Sequence, residues 1–338
     1  MSENSLSTFD QQSVKAYRIN QTGQGAEAKV SGAVVDMKVA DLSPGSVLVR
    51  VAFAGINFKD ALAATTQGKV IRHFPRVGGL DFSGVVVASE DPRFQAGAEV
   101  VAHSRGLGVD HDGGFATFAR LPAESVLPLP AGLSLREAAA IGVAGYSAAL
   151  CIHQLEAQGL QVDKGPVAVN GASGAVGGHA IDMLARLGYT VHALSRKTGA
   201  QERLTALGAA KVLAAHEDTG KPLEKSFWAG AIDSVGGPAL DALLRATQAL
   251  GVVVSIGNAG GNALNTNVLP FILRGVRLVG VSVMTLIALQ EHLWSRLSSD
   301  LKPVRFIAQT RTISLDELPV HLESVLAGTS DGRVIVAL

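Results

Sequence analysis

Three glycines at a spacing of three residues are a candidate phosphate-binding feature of this chain. Gly171, Gly174 and Gly177 follow a short strand pattern at 167–169 and lead into a helix pattern. Glycines let a backbone approach phosphates closely, and a helix N-terminus offers unpaired N–H groups and a positive dipole end. We therefore predict a dinucleotide site, with a tight structural turn as the alternative. The residues predicted to cradle the pyrophosphate are Ser173, Gly174, Ala175 and Val176.

The end of the next predicted strand indicates which dinucleotide binds. An NAD-selective site places Asp or Glu there, about twenty residues after the glycines, to bind the ribose hydroxyls. This chain instead carries Ser195, Arg196 and Lys197. A carboxylate would repel the 2′-phosphate of NADPH, whereas Lys attracts it and Arg can bind it through two hydrogen bonds. The sequence thus predicts NADPH as the cofactor, with a solvated basic loop as the alternative.

The strands and helices that must position these residues follow two patterns. Before Ser134, runs of strand-forming residues are separated by turns that contain Gly and Pro, which indicates a β-rich region. Ser134 and Glu137 have the spacing of a capping box, and from there strand and helix patterns alternate. Such alternation is typical of βαβ units and a parallel sheet, so the predicted fold class is α/β.

The composition indicates which classes of partner and which cellular location to expect. The 338 residues carry 29 basic and 29 acidic side chains, and this net charge of zero gives no electrostatic footprint for nucleic acid or an anionic membrane. We identify no apolar run long enough to span a bilayer and no signal-peptide pattern at the N-terminus. We therefore expect a cytoplasmic protein without nucleic-acid or membrane partners, and a loose tail over residues 1–13.

Several long segments resemble those of a known family. They are GINFKDALAATTQGKVIRHFP, GLDFSG, SEDPRF, NGASGAVG, SRK, KSFWAGAIDSVGG and LPFILRGVRLVGV. On these segments the chain, from about Val14 to its C-terminus, is similar to the zinc-independent medium-chain dehydrogenase/reductase proteins. Among them it is similar to the acrylyl-CoA reductase (NADPH) group, long described as quinone oxidoreductase-like. The dinucleotide fingerprint is G-x-G-x-x-G, and here Ala172 stands in the place of its first glycine. In this superfamily such a variant of the motif is usual.

The resemblance implies a fold and an activity. A GroES-like, β-rich substrate domain would comprise residues 14–135 and 290–338, and a doubly wound Rossmann domain, residues 136–289, would be inserted between them. The implied reaction is the NADPH-dependent reduction of the 2,3 double bond of acrylyl-CoA to propanoyl-CoA. The alternative activity is reduction of a quinone or a general enone, and a further alternative is a non-catalytic NADPH-binding protein.

The sequence itself argues against a catalytic metal. Zinc alcohol dehydrogenases of the superfamily carry G-H-E-x-x-G, but residues 79–84 read G-L-D-F-S-G, so that Leu80 replaces the histidine ligand. Cys151 is the only cysteine, which excludes a cysteine-based zinc site and an intrachain disulfide. We interpret Cys151, in an apolar helical stretch, as a buried hydrophobe and predict no metal site.

The resemblance also implies roles around a nicotinamide pocket. Phe58 would line the pocket, and because it has no hydroxyl we do not expect it to donate a proton. Asn57 and Asp60 flank it and are the predicted catalytic residues. Asn57 would orient the nicotinamide or the substrate carbonyl, whereas Asp60 is either catalytic or the cap of the following helix. Asn258 would lie near the nicotinamide, at the carboxyl ends of the strands.

Other basic residues are candidate phosphate contacts. Arg274 and Arg333 are predicted to contact a cofactor or substrate phosphate, with a surface salt bridge as the alternative for each. Lys69 and Arg72 lie in the basic stretch GKVIRHFPR and are predicted to bind the diphosphate of an acyl-CoA, with a solvated face as the alternative. The apolar stretch VRLVGVSVM predicts an edge strand that needs a cover, and in this superfamily such a strand pairs across a dimer axis, so we expect a homodimer.

Overall fold

The chain folds into two compact units, and the computed structural model describes residues 6–215, 219 and 221–338. The first unit holds the residues up to Val143 together with Thr310–Leu338, and the second holds Ala144–Gln309. The chain therefore leaves the first unit and returns to it at the end, which is the arrangement of an inserted domain.

The first unit is built on two β-sheets. Its strands are β1 (Ser13–Thr22), β2 (Lys29–Lys38), β3 (Val47–Gly55), β4 (Arg76–Val77), β5 (Asp81–Ser89), β6 (Glu99–His103), β7 (Phe118–Leu121), β8 (Val126–Pro128), β15 (Arg311–Ser314) and β16 (Val334–Ala337). A seven-stranded sheet has the order β15-β16-β3-β5-β6-β8, with β7 also paired to β3, and a second sheet has the order β2-β1-β4. Val47, Val49 and Val51 alternate along β3 and are buried, as the two-residue period of a strand dictates. The short helices α1 (Phe58–Ala63) and α9 (Leu318–Leu326) pack on each other.

The last strand of the chain completes the first unit. Strand β16 pairs antiparallel with β3, with Val336 opposite Ala54. Because β3 ends at Gly55 and β16 begins at Val334, this pairing brings the residue before β16 next to the loop that leads into α1. The candidate site of the first unit lies at this junction.

The second unit is a single parallel sheet with its helices. The strands are β9 (Val167–Asn170), β10 (Val191–Ser195), β11 (Lys211–Ala214), β12 (Trp228–Asp233), β13 (Thr247–Ser255) and β14 (Arg277–Gly280). The helices are α3 (Ala175–Arg186), α4 (Gln201–Ala206), α5 (Gly237–Ala246), α6 (Leu269–Arg274), α7 (Gln290–Leu297) and α8 (Val304–Ala308). The six strands run parallel in the order β11-β10-β9-β12-β13-β14, so the order reverses between β9 and β12. The α/β class predicted from the alternating pattern is confirmed.

Helix α2 (Leu135–Ala157) is broken at Gly142, where φ is 48° and ψ is −157°. Among the described residues it is the one helix long and apolar enough to cross a membrane. The expectation that no stretch reaches that length is therefore wrong. Of this apolar stretch, 83% is buried inside the protein, which is typical of a core helix and makes it weak evidence for a membrane span.

The boundaries of the units differ from those predicted at 135 and 289. The first falls within α2, and the second lies after Gln309. The second shift follows from α8, where the ring of Phe306 packs edge-on against His179 of α3, with centroids 4.5 Å apart. The backbone N–H of Phe306 also donates to Asp182 Oδ2 at 2.9 Å, so that this segment belongs to the parallel sheet's unit.

The beginning of the chain is partly ordered into the first unit. Residues Leu6–Phe9 form a 3₁₀ turn, and Leu6 is only 2% exposed because it packs with Val14 and Met37. The expectation of a loose tail is therefore wrong from residue 6 onward. Residues 1–5 lie outside the described part of the chain.

Candidate cofactor and active site

The glycine turn after β9 has the geometry of a phosphate-binding turn. Gly171 has φ +72°, and a Cβ atom there would lie 2.3 Å from Oγ of Ser234. A Cβ atom at Gly177 would lie 2.4 Å from the carbonyl oxygen of Gly171, so this glycine lets α3 pack closely on the turn. At Gly174 a Cβ atom would meet only the carbonyl oxygen of Gly171, at 3.4 Å. The turn is therefore closed at its first and third glycines and open at its second, where a phosphate can approach.

The residues predicted to cradle a pyrophosphate all lie at this opening. Gly174 is the N-cap of α3 and is exposed, and Ser173 precedes it. Ala175 and Val176 are the first two residues of the helix, and the N–H groups of a first helical turn have no partner within the helix. The chain thus offers a row of donors and a positive dipole end to an anion.

Ser195, Arg196 and Lys197, which we call the basic triplet, lie beside the glycine turn. Strands β9 and β10 are parallel neighbours, and the N–H of Ala172 donates to the carbonyl oxygen of Leu194 at 3.2 Å. Ser195 ends β10 and is buried, and its Oγ accepts the N–H of Lys197 at 3.1 Å. Arg196 is exposed. The structure thus brings the two predicted parts of the cofactor site together at one edge of the sheet.

A buried polar contact ties the same edge at the point where the strand order reverses. The Nδ2 atom of Asn170, at the end of β9, donates to Asp233 Oδ1 of β12 at 2.8 Å. The other carboxylate oxygen of Asp233 accepts the N–H of Gly236 at 2.8 Å. Burial raises the pKa of Asp233. Sequence reasoning missed this pair, although a polar residue at the end of each of two apolar strands was a signal for it.

Two further predicted cofactor residues lie in the second unit. Asn258 is exposed in the loop after β13, at the carboxyl edge of the sheet, and its Nδ2 donates to Asn262 Oδ1. Arg274 ends α6, and its guanidinium donates to the carbonyl oxygens of Arg245 and Thr247 at 2.9 and 3.0 Å. A third carbonyl oxygen, of Glu224, accepts its Nη2. Arg274 is therefore a brace between backbone segments rather than the phosphate contact or surface salt bridge that we predicted.

Arg333, in the first unit, is fully buried before β16. Its Nη2 lies 3.1 Å from Asp81 Oδ1 and also donates to the carbonyl oxygen of Ala139 at 2.9 Å. Its Nη1 donates to Asn57 Oδ1 and to the carbonyl oxygen of Ile56, and its Nε donates to that of Ala140. These contacts use all five N–H groups of a guanidinium. The prediction that Arg333 contacts a phosphate, and its alternative of a surface salt bridge, are both wrong.

The Arg333–Asp81 ion pair fills the break in α2. In an unbroken helix the carbonyl of Ala139 would accept the N–H of Val143. Here that carbonyl accepts from Arg333, and the N–H of Val143 donates to Asp81 Oδ2 at 3.0 Å. A Cβ atom at Gly142 would lie 2.1 Å from Arg333 Nη2, so only glycine fits between the helix and the ion pair. A pair of charged side chains thus replaces backbone hydrogen bonds at the kink.

The same ion pair holds the residues around Phe58. Besides its bond from Arg333, the amide of Asn57 donates to Asp81 Oδ2 at 2.8 Å and to Asp60 Oδ2 at 3.0 Å. Asp60 accepts the N–H groups of Asn57 and Leu80, each at 2.9 Å, and completes the predicted cap of α1. Both side chains are therefore engaged in hydrogen bonds inside the first unit. Phe58 lies between them in the sequence, at the first position of α1, and is 39% exposed.

The buried carboxyl of Asp60 gives the first unit a pH-dependent stability. Burial, and then the negative charge of Asp81, raise the pKa of Asp60 from 3.8 to about 7, although bonds from Asn57 and the charge of Arg333 act in the opposite direction. Between these two values the folded protein holds a proton that the unfolded chain has released. The contribution of Asp60 to the free energy of unfolding therefore falls as the pH rises from about 4 to about 7. The buried His103, whose pKa is lowered by burial to about 4, contributes in the opposite direction over that range.

We expect Asp60→Asn to remove the contribution of Asp60, because an amide does not titrate, so that its free energy of unfolding rises more with pH than that of the wild type, even though the variant is less stable overall. Urea denaturation at several pH values across that range measures it. Asp316→Asn, which removes an exposed carboxyl, is the control and should keep the wild-type slope. A slope that is the same in Asp60→Asn and in the wild type would contradict the assignment.

The two residues on which the sequence argument against a metal site rests, Leu80 and Cys151, are packed in the interior. Leu80 is buried, and so is Cys151, whose thiol has its pKa raised by burial and by the charge of Asp233. In the described ranges, no group of three or more His, Cys, Asp or Glu side chains could hold a metal ion. Cys151 is therefore not a reactive nucleophile.

The substrate candidates lie in the loop between α1 and β4. Lys69 and Arg72 are both exposed, and Lys69 has a left-handed φ of 48°. The two side chains thus face solvent on one loop of the first unit.

Comparison with known proteins then places the chain. Residues 43–131 match the alcohol dehydrogenase GroES-like domain, and residues 175–299 match the zinc-binding dehydrogenase family. The chain is 44% identical over 314 residues to "Putative quinone oxidoreductase YhfP" of Bacillus subtilis, covering 91% of this chain and 95% of that one. It belongs to the medium-chain dehydrogenase/reductase family. The predicted GroES-like and Rossmann domains of an oxidoreductase of this family are thereby confirmed.

Other family members bear on the activity and the cofactor. The chain is 43% identical over 312 residues to "Probable acrylyl-CoA reductase AcuI" of Escherichia coli, covering 92% of this chain and 96% of that one. The structure of Escherichia coli YhdH with bound NADPH superposes with a TM-score of 0.90, at 42% identity and over 96% of this chain and 99% of that one. Bacillus subtilis YhfP with NAD bound superposes with a TM-score of 0.92, at the same identity and coverage. These family members differ in the bound nucleotide, so the residues of this chain must decide it.

Proposed function

We propose that this protein is a zinc-independent, NADPH-dependent acrylyl-CoA reductase that forms propanoyl-CoA. The observation that carries the cofactor is the Ser195-Arg196-Lys197 triplet at the end of β10, joined to the open glycine turn by the Ala172–Leu194 hydrogen bond. The substrate is supported by the 43% identity to AcuI of Escherichia coli and by the 39% identity to "Acrylyl-CoA reductase AcuI" of Ruegeria pomeroyi.

The residues of this chain divide the work of binding and positioning. When bound, NADPH supplies a hydride for the β-carbon of the conjugated thioester, and negative charge develops on the thioester oxygen. The N-terminus of α3 binds the diphosphate, and Arg196 and Lys197 bind the 2′-phosphate. Phe58 forms a flat apolar wall that excludes water, and the Asn57–Asp60–Arg333 contacts fix its position. Phe58 has no hydroxyl that could donate a proton, and we infer that the α-carbon takes its proton from solvent.

A deuterium label tests this reaction. Reduction of acrylyl-CoA with NADPH that carries deuterium at the transferred position should give propanoyl-CoA with one deuterium at the β-carbon and none at the α-carbon, as read by mass spectrometry and NMR. Deuterium at the α-carbon, or no propanoyl-CoA at all, would refute the proposed reaction.

The second candidate activity is reduction of a quinone or a general enone. It is favoured by the 44% identity to YhfP, which is described as a quinone oxidoreductase. A quinone needs no contact for a CoA diphosphate, whereas the exposed Lys69 and Arg72 offer one. Those two residues therefore separate the candidates.

Lys69→Ala with Arg72→Ala should raise KM for acrylyl-CoA by about 10-fold and leave kcat nearly unchanged, because a remote phosphate contact binds ground state and transition state alike. Steady-state kinetics measure this effect. The control is a short acrylyl thioester of N-acetylcysteamine, which lacks the CoA phosphates and should be used equally well by the variant and the wild type. An unchanged KM for acrylyl-CoA would show that Lys69 and Arg72 do not contact the substrate.

The assembly proposed for the enzyme is a homodimer through the edge of the parallel sheet. Strand β14 is the last in the strand order and, within the described residues, pairs only with β13. Leu250, Ile272 and Leu273 are between 65% and 72% exposed on the adjoining β13 and α6. An exposed apolar edge strand is stabilised when another strand pairs with it. The same edge of a second subunit can do so across a two-fold axis.

Ile272→Asp with Leu273→Asp should therefore convert the dimer to monomers in sedimentation velocity at micromolar concentration. Val320→Asp, at an equally exposed valine of α9 in the first unit, is the control and should remain dimeric. A monomeric wild-type protein at that concentration would rule this assembly out.

A further inference from the structure

Arg203 is a basic residue of the second unit that no sequence motif singled out. It lies in the middle of α4, and its Nη2 donates to the carbonyl oxygen of Ser173 at 3.1 Å. Ser173 is the residue before Gly174, the N-cap of α3. An arginine from the helix after β10 therefore reaches back to the turn after β9.

Together with the Arg203–Ser173 bond, two further hydrogen bonds bring Arg203 and the basic triplet to the same region. The Ala172–Leu194 bond joins the glycine turn to β10, and the bond from the N–H of Lys197 to Ser195 Oγ folds the triplet back at the strand end. The 3₁₀ turn Thr198–Ala200 then leads directly into α4. The region past Ser195 is thus bounded by the glycine turn, by the triplet and by the helix that carries Arg203.

We propose that Arg203 is a third cation of the 2′-phosphate site and a determinant of specificity for NADPH over NADH. The inference rests on the proposed function, because it takes NADPH to be the cofactor. A guanidinium is a planar fork, so the face that donates to a carbonyl oxygen can be shared with a second acceptor, and arginine binds phosphate through two parallel hydrogen bonds. The contact with Ser173 holds the charge beside the place where the 2′-phosphate must lie if Arg196 and Lys197 bind it.

A purely structural role for Arg203 has a different signature. A brace of the glycine turn would affect every adenine nucleotide, because the turn binds the phosphates that all of them share. A phosphate contact affects only nucleotides that carry the 2′-phosphate. The pair 2′,5′-ADP and 5′-AMP differs in that group alone, and neither ligand depends on which substrate the enzyme reduces.

Calorimetric titration of both ligands into the full-length protein provides the test. The wild type should bind 2′,5′-ADP at least about 10-fold more tightly than 5′-AMP. Arg203→Met should lose about 10-fold in affinity for 2′,5′-ADP and little for 5′-AMP, and Arg203→Lys should recover part of that loss. Arg186→Met, which removes an arginine bound to the backbone carbonyl of Asp300 at the far end of α3, is the matched control and should bind both ligands as the wild type does.

Each other outcome overturns the inference, and one of them also overturns the cofactor assignment. Equal losses for both ligands in Arg203→Met would make Arg203 a brace and overturn the inference. Unchanged binding of 2′,5′-ADP by Arg203→Met, with the wild-type preference intact, would also overturn it and leave NADPH as the cofactor. A wild type without any preference for 2′,5′-ADP would overturn the cofactor assignment itself, and the inference with it.

Discussion

Replacing Arg333 with methionine is expected to lower the free energy of unfolding of the first unit by about 3 to 5 kcal/mol. Methionine fills a similar length but leaves the carboxylate of Asp81, whose side chain is 2% exposed, without its counter-ion. The carbonyl oxygens of Ala139 and Ala140 lose their donors at the break in α2 as well. An unpaired buried charge is among the few changes with so large an effect. Chemical denaturation followed by circular dichroism measures the loss.

Two variants separate a buried charge from an ordinary ion pair. Lys15 and Asp316 form an exposed pair at 2.8 Å, and Lys15→Met should change the free energy of unfolding by less than about 1 kcal/mol. Adding Asp81→Asn to Arg333→Met should restore part of the stability, because it removes the unpaired charge. A loss below about 1 kcal/mol in Arg333→Met would mean that the network is not held by this ion pair.

The largest expected effect on activity comes from changing the charge at the end of β10. Ser195→Asp with Arg196→Ser should shift the ratio of kcat/KM for NADPH over NADH by about 100-fold or more towards NADH. The aspartate repels the 2′-phosphate and can accept the ribose hydroxyls, and the variant has lost one of the cations. Its carboxylate can also accept the N–H of Lys197, which Ser195 Oγ accepts in the wild type, so the turn is kept.

The control for this change is Lys211→Ser. Lys211 is an exposed cation at the first residue of β11. Because the strands are parallel, it lies at their amino ends, whereas Ser195 lies at their carboxyl ends. Its removal should leave the preference for NADPH as it is. A double variant that still prefers NADPH would show that the triplet does not read the 2′-phosphate.

The parallel sheet and its ligand edge could be predicted because they depend on local patterns. Alternating strand and helix signals give a parallel sheet, and the carboxyl ends of parallel strands meet at one edge. Gly171, Gly174 and Gly177 differ in the space around them, but all three fit one short sequence motif. The cap formed by Asp60 was also predictable, since it depends on a residue three positions away.

The network around Arg333 could not be predicted in this way, because its parts lie far apart in the chain. Asp81, Gly142 and Arg333 come from a strand, a helix and the segment before the last strand, and each has an ordinary explanation when taken alone. A signal was present all the same. Arg333 stands next to an apolar final strand and Gly142 stands inside an apolar helix, two positions where a charged residue and a glycine need a specific reason.

The central claim, NADPH-dependent reduction of acrylyl-CoA, is tested most directly by the absorbance of NADPH. The purified protein would be mixed with NADPH and, in parallel, with acrylyl-CoA, crotonyl-CoA or a simple quinone, and NADH would replace NADPH in a matched series. We predict fast oxidation with acrylyl-CoA and NADPH and slow oxidation with the quinone or with NADH. Turnover of the quinone alone would contradict the assigned substrate, and equal rates with NADH would contradict the role of Ser195, Arg196 and Lys197.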